Sequence, residues 1–305
     1  MKDNASHTPR SFGFELVYLL SMLIFGTNGL LVAHISLRAS QIVLLRTLVG
    51  GTILSAVVLL RGGFDRAAVR ADRRFLLLGG AALGLNWIAL FEGYRLLNVS
   101  LATLIYYVGP MLILLLSPLL FGEHLRPRLF LALGLVAAGL VCISGSLAGG
   151  GSLAGLLTAA LSALFYASLI AFNKRIVHTD GLQTAAIELD VAFAVVLVYV
   201  LFTAGLPRIV RAELPYLALI GLVNTGLAYL LYFSALQKLP GQTVALLSYA
   251  DPVSALLLSA LVLHEALTPL QQLGAVLIIG GAMLGELGKA GAAPREETQT
   301  KHEKT

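Results

Sequence analysis

The chain has 305 residues, of which 58% are hydrophobic and only 12% are charged, and its mean hydropathy is +0.87. Soluble globular proteins carry about 25% charged residues, so the composition excludes that class and indicates an integral membrane protein. The net charge of +5 does not indicate a nucleic-acid partner, because the basic residues lie between apolar segments without interleaved aromatic residues.

Ten apolar segments follow one another along the chain, each close to the roughly 20 residues that a transmembrane helix needs. They are continuously apolar and not alternating, which predicts helices rather than barrel strands. The ten predicted transmembrane helices span residues 15–33, 39–60, 75–95, 99–120, 129–146, 153–172, 184–204, 214–236, 242–262 and 268–287. The first segment is too long for a signal-peptide core, so we expect it to remain in the mature protein.

The basic residues are unevenly distributed when the loops are assigned alternately to two sides. Of the 21 Lys and Arg residues, 16 lie on one side and four on the other, and Arg46 lies inside the second segment. Positive charge marks the cytoplasmic side of a membrane protein. The distribution therefore predicts that both termini are cytoplasmic.

The sequence repeats itself at an offset of 142 residues, most clearly between 84–127 and 226–269. Missing such a repeat would give the wrong fold. Seven pairs of identical residues other than leucine support it: Gly84 and Gly226, Phe91 and Phe233, Tyr107 and Tyr249, Pro110 and Pro252, Ser117 and Ser259, Glu123 and Glu265, and Pro127 and Pro269.

The repeat predicts an organisation into two halves, 12–146 and 152–288, followed by a disordered cytoplasmic tail at 289–305 whose sequence is polar and has no apolar period. Each half contains five predicted helices, an odd number, so the second half must enter the membrane from the opposite side. Two inverted repeats around a central cavity are a common plan of secondary transporters. The expected fold class is therefore an all-α membrane bundle of two inverted five-helix repeats.

Each repeat has an aromatic-rich third segment, a proline within the fourth segment and a glutamate at its end. The pattern resembles the EamA family of the drug/metabolite transporter superfamily over about 14–288. The resemblance implies a secondary transporter, frequently an inner-membrane exporter of amino acids or other small organic metabolites. It implies a cavity surrounded by the first four helices of each repeat, peripheral fifth helices that in some relatives make dimer contacts, and hence a homodimer as one expectation. The motif residues are Tyr107 to Pro110 with Gly122-Glu123, and Tyr249 to Pro252 with His264-Glu265.

Two charged residues inside apolar segments are the main candidates for substrate binding and coupling. Asp251 matches the acidic residue of the family motif, where the first repeat has Gly109, and it lies roughly 13 Å into its segment. A carboxylate at that depth usually faces a cavity or a partner, so we expect proton coupling or binding of a substrate amine, or else a packing role. Arg46 needs water, a carboxylate or a ligand, unless it extends to the interface. Its repeat counterpart is Glu188, and an ion pair between them is a further hypothesis.

Other candidates are aromatic, amide and proline side chains. Asn86 and Asn224 lie within segments and are expected to bond a substrate or a neighbouring helix. Pro110 and Pro252 cannot donate a backbone hydrogen bond, which makes them candidate hinges or static kinks. An aromatic cluster would form either a cavity wall or ordinary packing: Trp87, Tyr94, Tyr106, Tyr107, Tyr166, Tyr229, Tyr232 and Tyr249.

Glu123 and Glu265 end their segments and are expected to cap the following turn. His264-Glu265 opens like a zinc-protease helix, but the position of the second histidine is occupied by Thr268. We therefore expect no metal, no cofactor and no enzyme.

The predicted function is a secondary transporter of small organic metabolites such as amino acids, which it moves outward by alternating access. Membrane lipids are expected as partners, and proton coupling is a further possibility. A channel or lipid-translocating protein stays an alternative.

Overall fold

The computed structural model of the protein describes residues 9–32, 34–97, 102, 105–144, 152–262 and 268–286. All regular secondary structure in these ranges is helical. The predicted tail at 289–305, Glu265 and most of the junction between the repeats lie outside the described residues.

Within the described residues, six helices have defined bounds in the first repeat and seven in the second. The first six are α1 (Pro9–Gly26), α2 (Asn28–Val32), α3 (Ala39–Leu60), α4 (Arg66–Leu96), α5 (Val108–Phe121) and α6 (Pro127–Ser144). The others are α7 (Leu153–Asn173), α8 (Gly181–Thr203), α9 (Leu214–Gly221), α10 (Ala228–Leu236), α11 (Gly241–Leu247), α12 (Ala250–Val262) and α13 (Pro269–Glu286). A 3₁₀ turn at Arg211–Glu213 leads into α9, and a π-helical turn at Leu222–Leu227 joins α9 to α10.

These helices account for the ten predicted segments, because α1 with α2, α9 with α10, and α11 with α12 each form one segment. Within the described ranges, six segments are long and apolar enough to cross a membrane, and α5, α6 and α13 are shorter apolar helices. Among the described residues, four predicted segments are less regular than expected. The first is interrupted at Thr27 and the fourth at Tyr107, the eighth contains the π-helical turn, and the ninth is interrupted at Ser248 and Tyr249.

Polar caps set the start of several helices. The side chains of Asp65, Ser152 and Asp180 accept hydrogen bonds from backbone amides in the first turns of α4, α7 and α8. The first amides of a helix have no partner within the helix, so such a cap stabilises its beginning by about 1 kcal/mol. A polar side chain thus fixes where each of these three helices begins.

The two repeats have matching helix boundaries and interlocking contacts. The fifth helices α6 and α13 pack on each other, and so do the second helices α3 and α8. The third helix of each repeat packs against the first helix of the other repeat, α4 on α7 and α10 on α1. The predicted fold class, ten helical segments in two inverted repeats, is confirmed. Three helix pairs begin 142 residues apart: α3 and α8 at Ala39 and Gly181, α5 and α12 at Val108 and Ala250, and α6 and α13 at Pro127 and Pro269.

The crossing of α6 and α13 depends on small residues. A Cβ atom at Gly139 would lie 2.6 Å from the Gly274 carbonyl oxygen, and one at the repeat-equivalent Gly281 would lie 2.8 Å from the Ala132 carbonyl oxygen. Helices in lipid associate largely through close packing of this kind. The backbones of α6 and α13 are therefore in direct contact at both glycines.

We expect Gly139→Ala to destabilise the protein by about 1 to 3 kcal/mol, because the added methyl group overlaps the backbone of α13. Gly134→Ala on the same helix is the matched control, since no atom lies within 4 Å of its Cβ position. The measurement is the thermal unfolding midpoint of each purified variant in detergent. Equal midpoints for the two variants would contradict the close crossing.

Candidate functional site

A cavity of about 500 Å³ lies between the two repeats. Its wall is formed by α1 to α5, α7, α10 and α12, and Val32 and Ala39 line it at the end of the bundle where α2 connects to α3. Among the described residues, α6 and α13 contribute nothing to the wall. The volume is in the range of about 300 to 1,000 Å³ that small-molecule sites occupy.

The cavity brings together eleven of the fourteen candidates for binding, coupling, cavity wall or hinge that the sequence singled out. Asn224, Tyr249 and Pro252 are not part of the wall. The eleven that line it are Arg46, Asn86, Trp87, Tyr94, Tyr106, Tyr107, Pro110, Tyr166, Tyr229, Tyr232 and Asp251.

Arg46 on α3 is buried and does not extend to the membrane interface. Its Nε donates to Thr225 Oγ1 at 2.8 Å, and its Nη2 donates to the Asn224 carbonyl oxygen at 3.1 Å. The guanidinium carbon lies 5.4 Å from the centroid of the Trp87 ring, a cation–π distance. These partners are all neutral, so the positive charge remains available to an anionic group in the cavity.

The π-helical turn provides both acceptors for Arg46. The Thr225 hydroxyl donates to the carbonyl oxygen of Ile220, five residues earlier, at 2.7 Å. Its own oxygen is then free to accept from the guanidinium, while the adjacent Asn224 carbonyl takes the second bond. π-Helical turns are rare and frequently occur at functional sites.

The hypothesis of an ion pair between Arg46 and Glu188 is wrong. Glu188 is fully buried on α8, where both carboxylate oxygens accept from Nδ2 of Asn173 at 2.9 and 3.0 Å. Its neighbour across the helix crossing is Gly79, which leaves room for the carboxylate. The two positions are equivalent in the repeats but lie in separate clusters.

Asp251 lies in the first turn of α12, directly after the interruption of the ninth segment. The hydroxyl of Tyr107 donates to its Oδ2 at 3.2 Å. The N-terminus of a helix carries a partial positive charge that stabilises a nearby carboxylate. Because the segment is interrupted inside the bundle, that favourable helix end lies at the cavity and not at the membrane surface.

Arg46 and Asp251 line the same cavity and interact electrostatically, yet no ion pair joins them. Their hydrogen-bond partners are the neutral groups described above. The cavity therefore presents one positive and one negative side chain, each with capacity for a further partner.

The interruptions in the two repeats meet each other. The Tyr249 hydroxyl donates to the carbonyl oxygen of Tyr107 at 3.1 Å, and their ring centroids are 6.4 Å apart. Tyr107 precedes α5 and Tyr249 precedes α12, so Pro110 and Pro252 lie in the first turns of these helices. A first-turn proline loses no hydrogen bond of the helix, because those amides lack a partner in any case. Whether the prolines act as hinges stays a prediction.

The two asparagines bond neighbouring helices. Asn86 Nδ2 donates to the Ser162 carbonyl oxygen at 2.7 Å, which ties α4 to α7. Asn224 Nδ2 donates to the carbonyl oxygen of Ile24 at 2.8 Å and to Thr27 Oγ1 at 2.7 Å. Asn224 thus supplies partners for the backbone where α1 ends.

Aromatic rings form a continuous wall that begins at Trp87, beside Arg46. The Trp87 and Tyr229 centroids are 5.7 Å apart at 86°, and the Tyr229 and Tyr232 centroids are 5.9 Å apart at 65°. Phe25 packs on Tyr229 at 4.9 Å. Such edge-to-face contacts hold the rings in fixed orientations.

Sequence reasoning missed several wall residues. Met22 and Phe25 belong to a first segment that has no charge inside the membrane to mark it, and Ser248 is a small residue at an interruption that hydropathy does not reveal. The repeat offers one signal, because Ser248 is the counterpart of Tyr106, and both line the cavity.

The bundle end opposite the α2–α3 connection is closed by Glu123. Its Oε1 accepts from the Gly241 amide at 2.6 Å and its Oε2 accepts from the Gln242 amide at 3.0 Å. The predicted capping role is thus met at the start of α11 in the other repeat, and not in the turn that follows Glu123. Gln242 Nε2 adds bonds to Ser117 Oγ at 3.1 Å and to the His124 carbonyl oxygen at 3.2 Å.

Comparison with known proteins gives several relatives, two of which cover nine tenths of this chain or more. The uncharacterized transporter YxxF of Bacillus subtilis is 26% identical over 90% of this chain and 90% of its own length. An uncharacterized protein of Pseudomonas aeruginosa is 30% identical over 92% of this chain and 97% of its own length. The aromatic amino acid exporter YddG of Ancylobacter novellus is 28% identical over 65% of this chain and 70% of its own length.

A solved crystal structure has the same fold, with a TM-score of 0.79 and 24% identity over 90% of this chain and 98% of the other. No group of three or more metal-binding side chains occurs in the part of the chain that the structure describes. The model of the EamA-like transporter family matches residues 14–145 and again residues 153–285. This confirms the predicted recognition and the expectation of a transporter rather than an enzyme. With both repeats matched, the chain belongs to the EamA-like transporter family and is a multi-pass membrane protein.

Proposed function

We propose that this protein is a secondary transporter that binds an amino acid with an aromatic or other apolar side chain in the central cavity and moves it outward by alternating access. The observation that carries the proposal is that Arg46 and Asp251 line one cavity without pairing with each other. An amino acid carries a carboxylate and an ammonium group on one carbon atom. It can satisfy both side chains at once, which neither a neutral solute nor a simple anion can do.

The aromatic wall supports the apolar part of the proposed substrate. Trp87, Tyr229 and Tyr232 provide flat, rigid surfaces that bury an apolar side chain at about 25 cal/mol per Å². One relative of this chain is an aromatic amino acid exporter, which agrees with this substrate class. Arg46 stacked on Trp87 lies where the polar and the aromatic surfaces join.

The closed end of the bundle supports alternating access. Glu123 links the end of α5 to the start of α11 in the other repeat, while the cavity reaches the opposite end at Val32 and Ala39. Exchange of the two repeat conformations would release the Glu123 contacts and open the closed end, with Pro110 and Pro252 as candidate hinges. We place the Glu123 end and both termini on the cytoplasmic side of a bacterial-type inner membrane, because most Lys and Arg residues lie between segments on that side and positive charge favours the cytoplasm.

Arg46→Ala should weaken binding of L-phenylalanine by about 10- to 100-fold, because it removes a charge-assisted hydrogen bond worth about 1.5 to 3 kcal/mol. L-phenylalaninamide, which lacks the carboxylate, should lose less than about threefold. The measurement is ligand-induced thermal stabilisation of the purified protein. Arg95→Ala is the control, since Arg95 is exposed and pairs with Glu92 at 2.9 Å. Equal losses for both ligands would assign Arg46 a purely structural role.

Asp251→Asn should abolish substrate flux driven by a pH gradient in proteoliposomes, because an amide cannot take up and release a proton. Counterflow exchange without a gradient should continue at saturating substrate, because the Asn oxygen can still accept a hydrogen bond from the substrate ammonium group. Asp190→Asn provides a matched control, because Asp190 is a carboxylate on α8 that bonds Ser55 at 2.7 Å and does not line the cavity. Gradient dependence that persists in Asp251→Asn would remove this residue from proton coupling.

Glu123→Ala should raise the hydrogen exchange rate of the Gly241 and Gln242 amides by about tenfold or more, because the two charge-assisted bonds to the carboxylate are lost. Mass spectrometry of peptides covering α11 measures this exchange. Glu92→Ala, which removes a carboxylate near the end of α4, should leave α11 unchanged. Unaltered exchange in Glu123→Ala would show that this contact does not hold the end closed.

A further inference from the structure

Four arginines lie on one face of α4 at the beginning of the helix. They follow one another at intervals of four, three and one residues, which places them within about 100° of each other around the helix axis at 3.6 residues per turn. All four residues are exposed. This arginine stripe consists of Arg66, Arg70, Arg73 and Arg74.

Within the part of the chain that the structure describes, no ion pair involves the arginine stripe. The acidic residues closest to it in sequence are bonded to other groups. Asp65 accepts hydrogen bonds from backbone amides in the first turn of α4. Asp72 is buried and accepts from the backbone amides of His178 and Thr179 at 2.8 Å each. The guanidinium groups of the stripe therefore have their hydrogen-bond donors available for a ligand.

The length of α4 places the arginine stripe at the membrane surface. The helix has 31 residues, so it is about 46 Å long. The hydrocarbon core of a bilayer is about 30 Å thick, so about 16 Å of the helix lies outside it. After Arg74 no charged residue follows until Glu92, which places most of that excess at the beginning of α4.

The arginine stripe continues directly into a surface that faces lipid. Leu77 and Leu78 lie one turn after Arg73 and Arg74 on α4, and each leucine is 48% exposed. Exposed leucines of a membrane-spanning helix contact the acyl chains of the surrounding lipid. The guanidinium groups one turn earlier therefore lie at the level of the lipid headgroups.

The second repeat has no such stripe at its equivalent positions, which are Arg208, Ala212, Pro215 and Tyr216. The regular α-helix of that repeat begins only at Leu214. The fold that the two repeats share therefore does not require the stripe. The positive-inside rule favours basic residues on the cytoplasmic side, but it does not require them to share one helix face. Their alignment indicates a binding surface.

We propose that the arginine stripe of α4 binds the headgroups of anionic phospholipids in the cytoplasmic leaflet. A guanidinium group can form two parallel hydrogen bonds with one phosphate group, which matches the phosphodiester of a phospholipid. The acyl chains of the same lipid can pack on Leu77 and Leu78, an interaction that a soluble anion does not make. The proposal is independent of what occupies the central cavity.

The test is a titration of the purified full chain in detergent with phosphatidylglycerol, followed by the thermal unfolding midpoint. Phosphatidylglycerol should raise the midpoint of the wild type, whereas phosphatidylcholine with the same acyl chains should not. The variant Arg70→Gln/Arg74→Gln should need about 10- to 30-fold more phosphatidylglycerol for half of the effect, because each basic residue near an anionic surface strengthens binding about fivefold. Its midpoint without lipid should equal that of the wild type, since both arginines are exposed.

The variant Arg208→Gln/Arg211→Gln is the matched control. It removes the same charge from two exposed arginines between the seventh and eighth segments, and it should respond to phosphatidylglycerol like the wild type. An equal loss of response in both double variants would mean that net charge and not the stripe attracts the lipid. The proposal would also be overturned if Arg70→Gln/Arg74→Gln kept the wild-type response, or if phosphatidylcholine or inorganic phosphate stabilised the wild type as much as phosphatidylglycerol does.

A second variant separates charge from loss of folding. Arg70→Lys/Arg74→Lys keeps both positive charges and loses only the paired hydrogen bonds to phosphate. It should need less than about fivefold more phosphatidylglycerol than the wild type. A loss as large as that of the glutamine variant would contradict recognition of the headgroup by charge.

Discussion

Inside a bilayer, a backbone group that leaves a helix can bond only to protein or to water in a cavity, because lipid offers no partner. This chain interrupts its helical segments around Thr27, at 222–227 and before Asp251, and each interruption is covered from elsewhere in the fold. Asn224 bonds the first, Arg46 bonds the carbonyl in the second, and the third contacts its counterpart in the other repeat. The irregular backbone therefore requires the contact between the repeats, and the cavity lies where these interruptions meet.

The fold was predictable because hydropathy and an offset of 142 residues are both properties of the sequence alone. Asp251 and Arg46 stood out for a similar reason. A charged side chain inside an apolar segment costs free energy in the membrane, so it usually has a functional role. Their partners were not predictable. The expected pair of Arg46 with Glu188 failed because repeat equivalence relates positions by rotation, and equivalent residues touch only near the rotation axis. Tyr107 with Tyr249 meets that condition, whereas Arg46 with Glu188 does not.

The same geometry explains why Glu123 caps a helix 118 residues away instead of its own turn. The contacts between the repeats bring the end of α5 next to the start of α11. No local sequence pattern indicates that these two helix ends are neighbours. The repeats also differ at cavity positions: Asp251 in the wall corresponds to Gly109, and Tyr232 in the wall corresponds to Leu90. The scaffold is shared between the halves, while the chemistry of the cavity belongs mostly to the differences between them.

The crossing of α6 and α13 differs in its symmetry from the other contacts between the repeats. Its two glycines are repeat equivalents that face each other's helices, so the contact is close to its own image under the exchange of the two halves. In the proposed exchange of conformations between the two halves, an interface of that kind would keep the same packing in both states, and the remaining helices would rearrange around it.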